Sequence, residues 1–305
     1  MEKTGKIGAF LLLCLTRPLA LLPLSFHQRA GRRIGRFIGR KVRYRRDVVM
    51  TNLSRSFPEK KYDELRDICN RFYEYLGRVI GEAVWFGASS AKKLKKAGIA
   101  RIVNPEEVNR FYREGRSVYV LASHNGNWEI YGGYASYGVG EQVLFPEKDI
   151  CMVYRQLSSK AWDRFMYRNR IAPIIDNRNY HGLVETFEIM RYAFNNRKEA
   201  KLYNFITDQH PYSESSKVPV RRGFLGQETF TMNGGAALAK ILGMPVVYMN
   251  MKIADDRSYE IKYTPICDNA ADMEIDDIMD RYYELLEQDI KEQPWNYLWS
   301  HKRWK

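Results

Sequence analysis

Residues 117–129 read SVYVLASHNGNWE, an apolar run that ends in a polar loop. The first part, Ser117–Ala122, is short and rich in β-forming residues, so it predicts a buried strand. In open α/β sheets, ligand crevices form where strands end. We therefore expect His124, two residues beyond this strand, to lie at the edge of a ligand-binding crevice.

Strand-like and helix-like segments alternate along the rest of the chain. After Pro58, apolar residues recur at helical spacing from Leu65 to Ile80 and predict a long helix. Alternation of this kind indicates an α/β fold, with a mixed, largely buried sheet flanked by helices. The other predicted strands lie at 150–154, 171–175, 201–207, 245–251 and 259–263, and the other helices at 106–113, 181–194, 234–242 and 276–293.

Composition excludes several classes of protein. The 305 residues are 45% hydrophobic and 28% charged, and the mean hydropathy is -0.48. A packed globular core is therefore expected, whereas wholesale disorder and a polytopic membrane protein are not. The four cysteines lie far apart and form no C-x-x-C, so neither a disulfide framework nor a zinc site is indicated.

Most of the positive charge lies in one segment. Residues 29–46 read RAGRRIGRFIGRKVRYRR and hold nine basic residues and no acid, out of a net charge of +13 for the whole chain. This concentration indicates an anionic partner: a membrane surface, an acidic carrier protein or nucleic acid. No zinc-finger spacing or RNP-type motif accompanies it, so nucleic acid is disfavoured. A solvated arm without a specific partner is the remaining alternative.

The segment before this basic stretch is apolar. Residues 7–26 read IGAFLLLCLTRPLALLPLSF, and twenty residues in a helix just span the roughly 30 Å hydrocarbon core of a bilayer. Arg17, Pro18 and Pro23 oppose insertion, so we expect a marginal span or a helix lying in the interface. A cleaved signal peptide is the alternative, but no A-x-A site follows.

These features suggest three regions. Residues 1–28 are expected to form an N-terminal membrane-associated helix, 29–50 a basic juxtamembrane arm, and 51–305 one α/β domain. Basic residues beside an apolar segment bind anionic lipid, and they tend to stay on the cytoplasmic side. We therefore expect the bulk of the chain to lie in the cytoplasm against a membrane.

His124 and Glu129 form the first candidate catalytic pair. Five residues turn a helix through about 500°, so the two side chains would not share one helical face. Gly126 permits a turn between them, which would bring the carboxylate to one imidazole nitrogen and leave the other free. The chain has no G-x-S-x-G nucleophile motif, so His124 would activate a hydroxyl or amine of the substrate. A structural histidine is the alternative.

Several blocks of sequence carry a resemblance to a known family. Residues 124–129, read as H-x4-E, resemble the first block of the H-x4-D/E acyltransferases, and the form HNGNWE is similar to that of the bacterial lipid A biosynthesis acyltransferases. One departure is Gln156, where the family often has proline after V-Y-R. The other similar blocks follow the family's order and, together with the block at 124–129, cover nearly the whole chain. They are NLSRSFPE at 52–59, VYRQL at 153–157, NFITDQH at 204–210, a long block at 218–247, and YLWSHKRW at 297–304.

The resemblance implies a glycerolipid acyltransferase-like fold and a specific reaction. An acyl chain would pass from acyl carrier protein to a hydroxyl of a lipid A precursor at the cytoplasmic face of the inner membrane. His124 would act as general base and Glu129 would orient it, without metal, cofactor or acyl-enzyme.

The resemblance also implies substrate-binding residues. Arg155 would bind a phosphate or carboxylate, and Asp208 would position a sugar hydroxyl or an arginine. Asn125 and Asn127 are expected to bind substrate, and either their side chains or backbone N–H groups near His124 would hold the developing oxyanion. Residues 118–145 and 224–245 would line an apolar groove for the acyl chain. Residues 212–216, YSESS, lie where the family's substrate-facing loops vary.

Two other functions stay open on the sequence. The same chemistry could act on another acceptor, such as an amino lipid, a glycerophospholipid or a glycolipid. Alternatively, the chain could bind membranes without catalysis, although the presence of both His124 and Glu129 disfavours this.

Overall fold

The computed structural model describes residues 2–211, 221–255 and 257–304. Its centre is an eight-stranded sheet of order β3-β1-β10-β9-β2-β6-β4-β5, and β7 and β8 form a separate hairpin. The segment 212–216 lies outside the described residues. The strands are β1 Ala100–Ile102, β2 Val118–Ala122, β3 Val139–Gly140, β4 Ile150–Tyr154, β5 Leu183–Glu185, β6 Leu202–Ile206, β7 Arg221–Phe224, β8 Gln227–Phe230, β9 Val246–Ile253 and β10 Tyr259–Cys267.

The sheet is mixed and largely parallel, which confirms the predicted fold class. Neighbouring strands pair in parallel throughout, except β9 and β10, which pair antiparallel. The central strand β2 pairs with β6 on one side and with β9 on the other. Crossover connections of parallel strands place helices over both faces, so the strands between them are buried.

Eleven helices in the described part of the chain surround this sheet. They are α1 Glu2–Leu19, α2 Leu24–Phe37, α3 Arg46–Ser56, α4 Tyr62–Phe86, α5 Ala91–Ala97, α6 Glu106–Arg113, α7 Tyr134–Tyr137, α8 Lys160–Ile171, α9 Ile189–Asn195, α10 Gly234–Ile241 and α11 Ile275–Glu292. A π-helical turn, Ile38–Val42, continues α2, and short 3-10 turns lie at Trp128–Ile130, Glu147–Asp149 and Ala270–Asp272.

The residues of β2 divide between two cores. Tyr119 and Leu121 point into one, with the apolar faces of α4, α10 and α11. Val118, Val120 and Ala122 point into the other, which α6 and α7 cover. Because successive strand residues face opposite sides, a continuous apolar run is the pattern of a strand buried on both faces.

Two predicted elements were wrong. Residues 171–175 were expected to form a strand, but α8 ends at Ile171 and Ile175 is 81% exposed in the turn that follows. Residues 181–194 were expected to form one helix, but β5 comes first and α9 begins only at Ile189. Pairing of β5 with β4 supplies the backbone hydrogen bonds that a helix would have made.

The basic stretch is folded against the body of the protein. Glycines of α2 meet glycines of α4, and a Cβ at Gly31 or Gly35 would collide with the α4 backbone near Tyr73 and Gly77. The regions proposed from the sequence divide at 28/29 and 50/51, inside α2 and α3. Residues 29–50 are therefore a packed helical layer with one exposed face, whereas an arm was expected.

The N-terminal pair of helices is bent. No single helix in the described residues is long and apolar enough to cross a membrane. Residues 6–19 and 24–42 reach the required length and hydropathy only when taken together, and their axes turn by 115° between them.

Candidate active site

The ends of β2 and β6 bring the central residues of the site together. The two strands pair in parallel with Ala122 opposite Ile206, so the segments that follow them leave the sheet side by side. His124 follows β2, and Asp208 follows β6. Carboxyl ends of neighbouring parallel strands are the usual position of a site in such a sheet.

His124 and Asp208 form a hydrogen-bonded pair. His124 Nδ1 lies 2.7 Å from Asp208 Oδ1, and the Asp208 side chain is 2% exposed. Burial opposes ionisation of Asp208, but the charge and hydrogen bonds of His124 outweigh it and hold the pKa of Asp208 below its usual value. The carboxylate is therefore ionised at neutral pH and accepts a hydrogen bond from Nδ1–H.

This pairing determines the state of the other ring nitrogen. With the proton on Nδ1, Nε2 of neutral His124 carries a lone pair and can accept a proton. Gln209 Nε2 lies 3.0 Å from His124 Nε2, and its N–H donates to that lone pair. The ring of Trp128 packs edge-on against the imidazole at 5.1 Å between centroids. The arrangement is that of a general base oriented by a carboxylate.

Glu129 does not have the orienting contact expected of it. Its carboxylate accepts hydrogen bonds from Arg170 Nε and Nη2, at 3.0 and 3.1 Å, and from Trp128 Nε1 at 3.1 Å. It lies in a 3-10 turn, and that turn directs it to α8. The expectation that Glu129 binds the imidazole is corrected by the contact that Asp208 makes. Glu129 and Arg170 instead form an ion pair in the wall of the site.

The loop that carries His124 is held by its backbone. Gly126 has φ of 60°, and a Cβ there would lie 2.5 Å from Met251. Its N–H donates to Asn296 Oδ1 at 3.0 Å, and its carbonyl accepts from Tyr75 at 2.5 Å. A loop with so many fixed contacts keeps the position of the imidazole defined.

Asn127 belongs to a buried network centred on Glu82. Asn127 Nδ2 donates to Glu82 Oε2 at 2.9 Å, and its Oδ1 accepts from the backbone N–H of Glu129 at 3.2 Å. Glu82 is fully buried and also accepts from Gln28, Arg78 and Tyr259. The expected role of Asn127 in binding substrate is corrected: its side chain connects α4 to the active-site loop.

Asn125 is also turned into the protein. Its side chain is 2% exposed, and neither it nor Asn127 belongs to the described residues that border the cavity beside His124. The geometry therefore gives neither asparagine side chain a contact with a molecule in that cavity.

A cavity of about 1080 Å³ opens beside His124. Apolar side chains dominate much of its wall, among them Met152, Ile174 and Phe205. Most of its lining comes from 152–190 and 204–211, whereas the predicted groove segments contribute mainly 122–132 and 231–235. A space of this size and lining suits a long apolar ligand with one polar reacting end.

Arg155, which was expected to bind substrate, borders the same cavity. It follows β4, whose end lies next to that of β6, and its guanidinium lies 5.6 Å from the ring centroid of Phe187. An arginine at a cavity rim presents planar donors suited to a phosphate or carboxylate. Asp208, in contrast, faces His124 in place of the sugar or arginine that was expected.

Comparison with known families now decides the relationship. The family model described as bacterial lipid A biosynthesis acyltransferase matches residues 1–305, which is the whole chain. The chain belongs to this family. The resemblance seen in the sequence blocks is thereby confirmed. A search of curated protein sequences gave no significant match.

The sequence pointed to several of the residues that the fold brings together here. It identified His124 and Arg155, and it named Asp208 but assigned it a sugar hydroxyl or an arginine as partner in place of His124. It missed the roles of Gln209 and Arg170. The position of Asp208 and Gln209 in the sequence could have indicated that they lie in the site, because both directly follow the predicted strand at 201–207. Within the described residues no group of three or more His, Cys, Asp or Glu side chains could hold a metal ion, and the expectation of a metal-free reaction stays a prediction.

Proposed function

We propose that this lipid A acyltransferase transfers a fatty acyl chain from an acyl carrier protein thioester to a hydroxyl of a lipid A precursor, with His124 as general base. The observation that carries the proposal is the His124–Asp208 pair, which places the imidazole beside an apolar cavity of about 1080 Å³ and leaves Nε2 as the nitrogen that Asp208 does not contact. A base and a space for an acyl chain are the two requirements of this reaction.

The reaction needs no nucleophile from the protein. The acceptor hydroxyl gives its proton to His124 Nε2 while its oxygen attacks the thioester carbonyl carbon. The carbon–sulfur bond then breaks, and the leaving thiolate takes the proton from Nε2. The products are an ester on the lipid and a free thiol on the carrier, and His124 returns to its neutral form.

Asp208 supports this cycle in two ways. It holds the proton on Nδ1, so that Nε2 is the nitrogen that accepts, and it stabilises the imidazolium formed during transfer. The low pKa of its carboxyl keeps the charge available throughout the neutral range. An orienting carboxylate of this kind is worth roughly 10⁴-fold in rate in the serine protease triad.

The cations of the cavity suit an acidic lipid. Arg155 lies at the rim and is positioned to bind a phosphate of the acceptor or carrier. Arg170, held by Glu129, adds a second guanidinium to the same wall. We assign to Glu129 the task of keeping that guanidinium in place.

We propose that the enzyme works on the cytoplasmic face of the inner membrane. Helix α1 exposes Ile7, Leu11 and Leu15, each more than half exposed and spaced four residues apart along one face. The outer face of α2 adds exposed arginines, including Arg29 and Arg33. An apolar helix beside a basic one fits the interface of an anionic bilayer, and a helix pair bent by 115° suits lying there.

The test is acyl transfer in membranes from cells that express the wild type, His124→Ala or His181→Ala. A labelled acyl carrier protein donor and a tetra-acyl lipid A precursor are supplied, and products are identified by mass spectrometry. His181 is exposed and borders no part of the cavity that the described residues form, so its variant is the matched control. We expect one added acyl chain with the wild type and the control, and at least a hundredfold less with His124→Ala.

Other outcomes would change the proposal. Equal addition by all three proteins would exclude His124 as the base. Addition to an amino lipid, a glycerophospholipid or a glycolipid, with none to the lipid A precursor, would keep the chemistry and replace the acceptor.

A further inference from the structure

Gln209 occupies the position at which a nucleophile must bind. Its amide nitrogen lies 3.0 Å from His124 Nε2, the lone pair that accepts the proton. A hydroxyl that is to be activated must itself come within about 2.6–3.2 Å of that nitrogen. The amide and the acceptor oxygen therefore exclude each other.

The direction of this hydrogen bond follows from the charges beside it. Asp208 accepts from Nδ1–H, so in the neutral ring that a general base requires, Nε2 has only a lone pair to offer. The group that faces it must donate, which assigns the Gln209 nitrogen, and not its carbonyl oxygen, to the contact. Gln209 is partly exposed and borders the cavity, so its side chain has space into which it can rotate.

We propose that Gln209 protects His124 from water. In the absence of the lipid acceptor, its amide caps His124 Nε2 by donating a hydrogen bond to it, and water is kept from that position. Hydrolysis of the bound thioester is thereby suppressed. This inference rests on the proposed function. The acceptor lipid displaces the amide because its contacts with the cavity wall supply additional binding energy. A single water molecule has no such contacts, and its one hydrogen bond to Nε2 would only replace the one that the amide already makes.

The suppressed reaction is simple to write. Water gives a proton to Nε2, and its oxygen bonds to the thioester carbonyl carbon. The carbon–sulfur bond breaks, and the thiolate takes the proton from Nε2. A free fatty acid and the thiol of the carrier result. No further reactant is needed, so every thioester enzyme with an accessible base is exposed to this loss.

The first test compares the wild type, Gln209→Ala and Gln288→Ala. Gln288 is exposed on α11, and its variant makes the same change of side chain away from the cavity. Each full-length protein is given labelled acyl carrier protein alone, and the release of free fatty acid is measured. The same proteins are then given donor and saturating acceptor together, and the rate of transfer is measured.

We expect hydrolysis without acceptor to rise about fivefold in Gln209→Ala, the factor that one uncharged hydrogen bond is worth. The control should match the wild type. Transfer at saturating acceptor should stay unchanged, because the acceptor displaces the amide in the wild type, so the ratio of this transfer rate to the hydrolysis rate without acceptor should fall about fivefold in Gln209→Ala. A merely structural loss would lower both rates together, so unchanged or reduced hydrolysis in a folded Gln209→Ala protein would overturn the inference.

A second test needs no acyl substrate. Diethyl pyrocarbonate acylates the neutral imidazole at its free nitrogen, and the peptide that carries His124 is followed by mass spectrometry. Capping by Gln209 predicts about fivefold faster modification of His124 in Gln209→Ala, with unchanged modification of His181 in the same protein. Equal rates at His124 in wild type and variant would show that the amide does not cap the base.

The two proposals fail in different ways. If the wild type transfers no acyl chain to any acceptor, the proposed function is lost, and the reagent still decides whether Gln209 caps His124. If the wild type transfers normally and Gln209→Ala changes neither hydrolysis nor modification, only the protecting role is lost.

Discussion

Two segments of the acyltransferase, one after β2 and one after β6, lie side by side and contribute differently to the site. The first contains His124 and Glu129 and is held from several directions, by Tyr75, Asn296 and the Glu82 network. The second supplies Asp208 and Gln209 directly to the two nitrogens of the imidazole.

The comparison shows that the carboxylate nearest to His124 in the sequence is not the one that contacts it in the structure. Glu129 lies five residues from His124 and pairs with Arg170, whereas Asp208 lies 84 residues away and binds the imidazole. Parallel pairing of β2 with β6 explains this, because it brings the ends of the two strands together. The spacing of a motif in one loop therefore does not decide which carboxylate contacts the imidazole.

Removal of the Asp208 charge should have the largest effect. In Asp208→Asn the amide can donate to Nδ1, which favours the ring tautomer with its proton on Nε2 and leaves no acceptor for the hydroxyl. We expect kcat to fall about 10³–10⁴-fold with little change in KM, measured by steady-state acyl transfer. Glu129→Gln is the control, and an equal loss in both variants would return the orienting role to Glu129.

Glu82→Gln tests how far the first segment depends on its buried support. The carboxylate pairs with the buried guanidinium of Arg78, 2.7 Å away, and receives hydrogen bonds from three other side chains. Breaking a buried pair costs about 3 kcal/mol of the free energy of unfolding, measured by denaturant titration.

A matched control for this prediction lies on the same helix. Glu74 pairs with Arg36, which is half exposed, so Glu74→Gln should cost less than about 1 kcal/mol. Similar losses in the two variants would mean that the Glu82 network adds no stability beyond that of a surface pair.

The Glu129–Arg170 pair should have an intermediate effect on turnover. We expect kcat/KM to fall about tenfold in Glu129→Gln and in Arg170→Gln, because each change loosens the same guanidinium in the cavity wall. The double variant should lose little more than either single one, which corresponds to a coupling of about 1 kcal/mol. Losses that multiply would show that the two side chains act separately, and Glu129 would then need another partner in catalysis.

The last prediction contrasts Asp208 with another buried carboxylate. Burial raises the pKa of Asp289 to about 6, and its partner, the phenol of Tyr248 at 2.6 Å, is neutral. Because that value lies above the roughly 3.9 of an unfolded aspartate, the folded protein binds the proton more tightly, and stability falls as pH rises from about 4 to 6. Asp208 has the opposite sign, since its lowered pKa adds stability that is lost only in acid.

Asp289→Asn should therefore raise the free energy of unfolding by roughly 2–3 kcal/mol at pH 7.5 and change it little at about pH 4. Denaturant titrations at the two pH values measure this. A gain of equal size at both would show that packing, and not the charge, is responsible.

Much of the fold could be predicted from the sequence, because local patterns carry it. The strand at 150–154 and the helix at 106–113 have the predicted bounds, and β2, β6, α10 and α11 differ from their predictions by one or two residues at their ends. The errors fall where a tertiary partner outweighs local preference, as at β5, which pairs with β4. The packing of the basic stretch against α4 could likewise not be predicted from the sequence, since it depends on the close contact between glycines of α2 and α4.

By itself, the sequence determined that His124 stands at the end of a buried strand, that Arg155 and Asp208 follow other strands, and that an apolar and a basic segment adjoin at the N-terminus. Only the tertiary structure decided which of these side chains touch. Strand order and parallel register place Asp208 on Nδ1 and Gln209 on Nε2, and they direct Glu129 to Arg170. The physical reason is that hydrogen bonds act over about 3 Å, and such proximity between residues 84 apart is a property of the packed sheet.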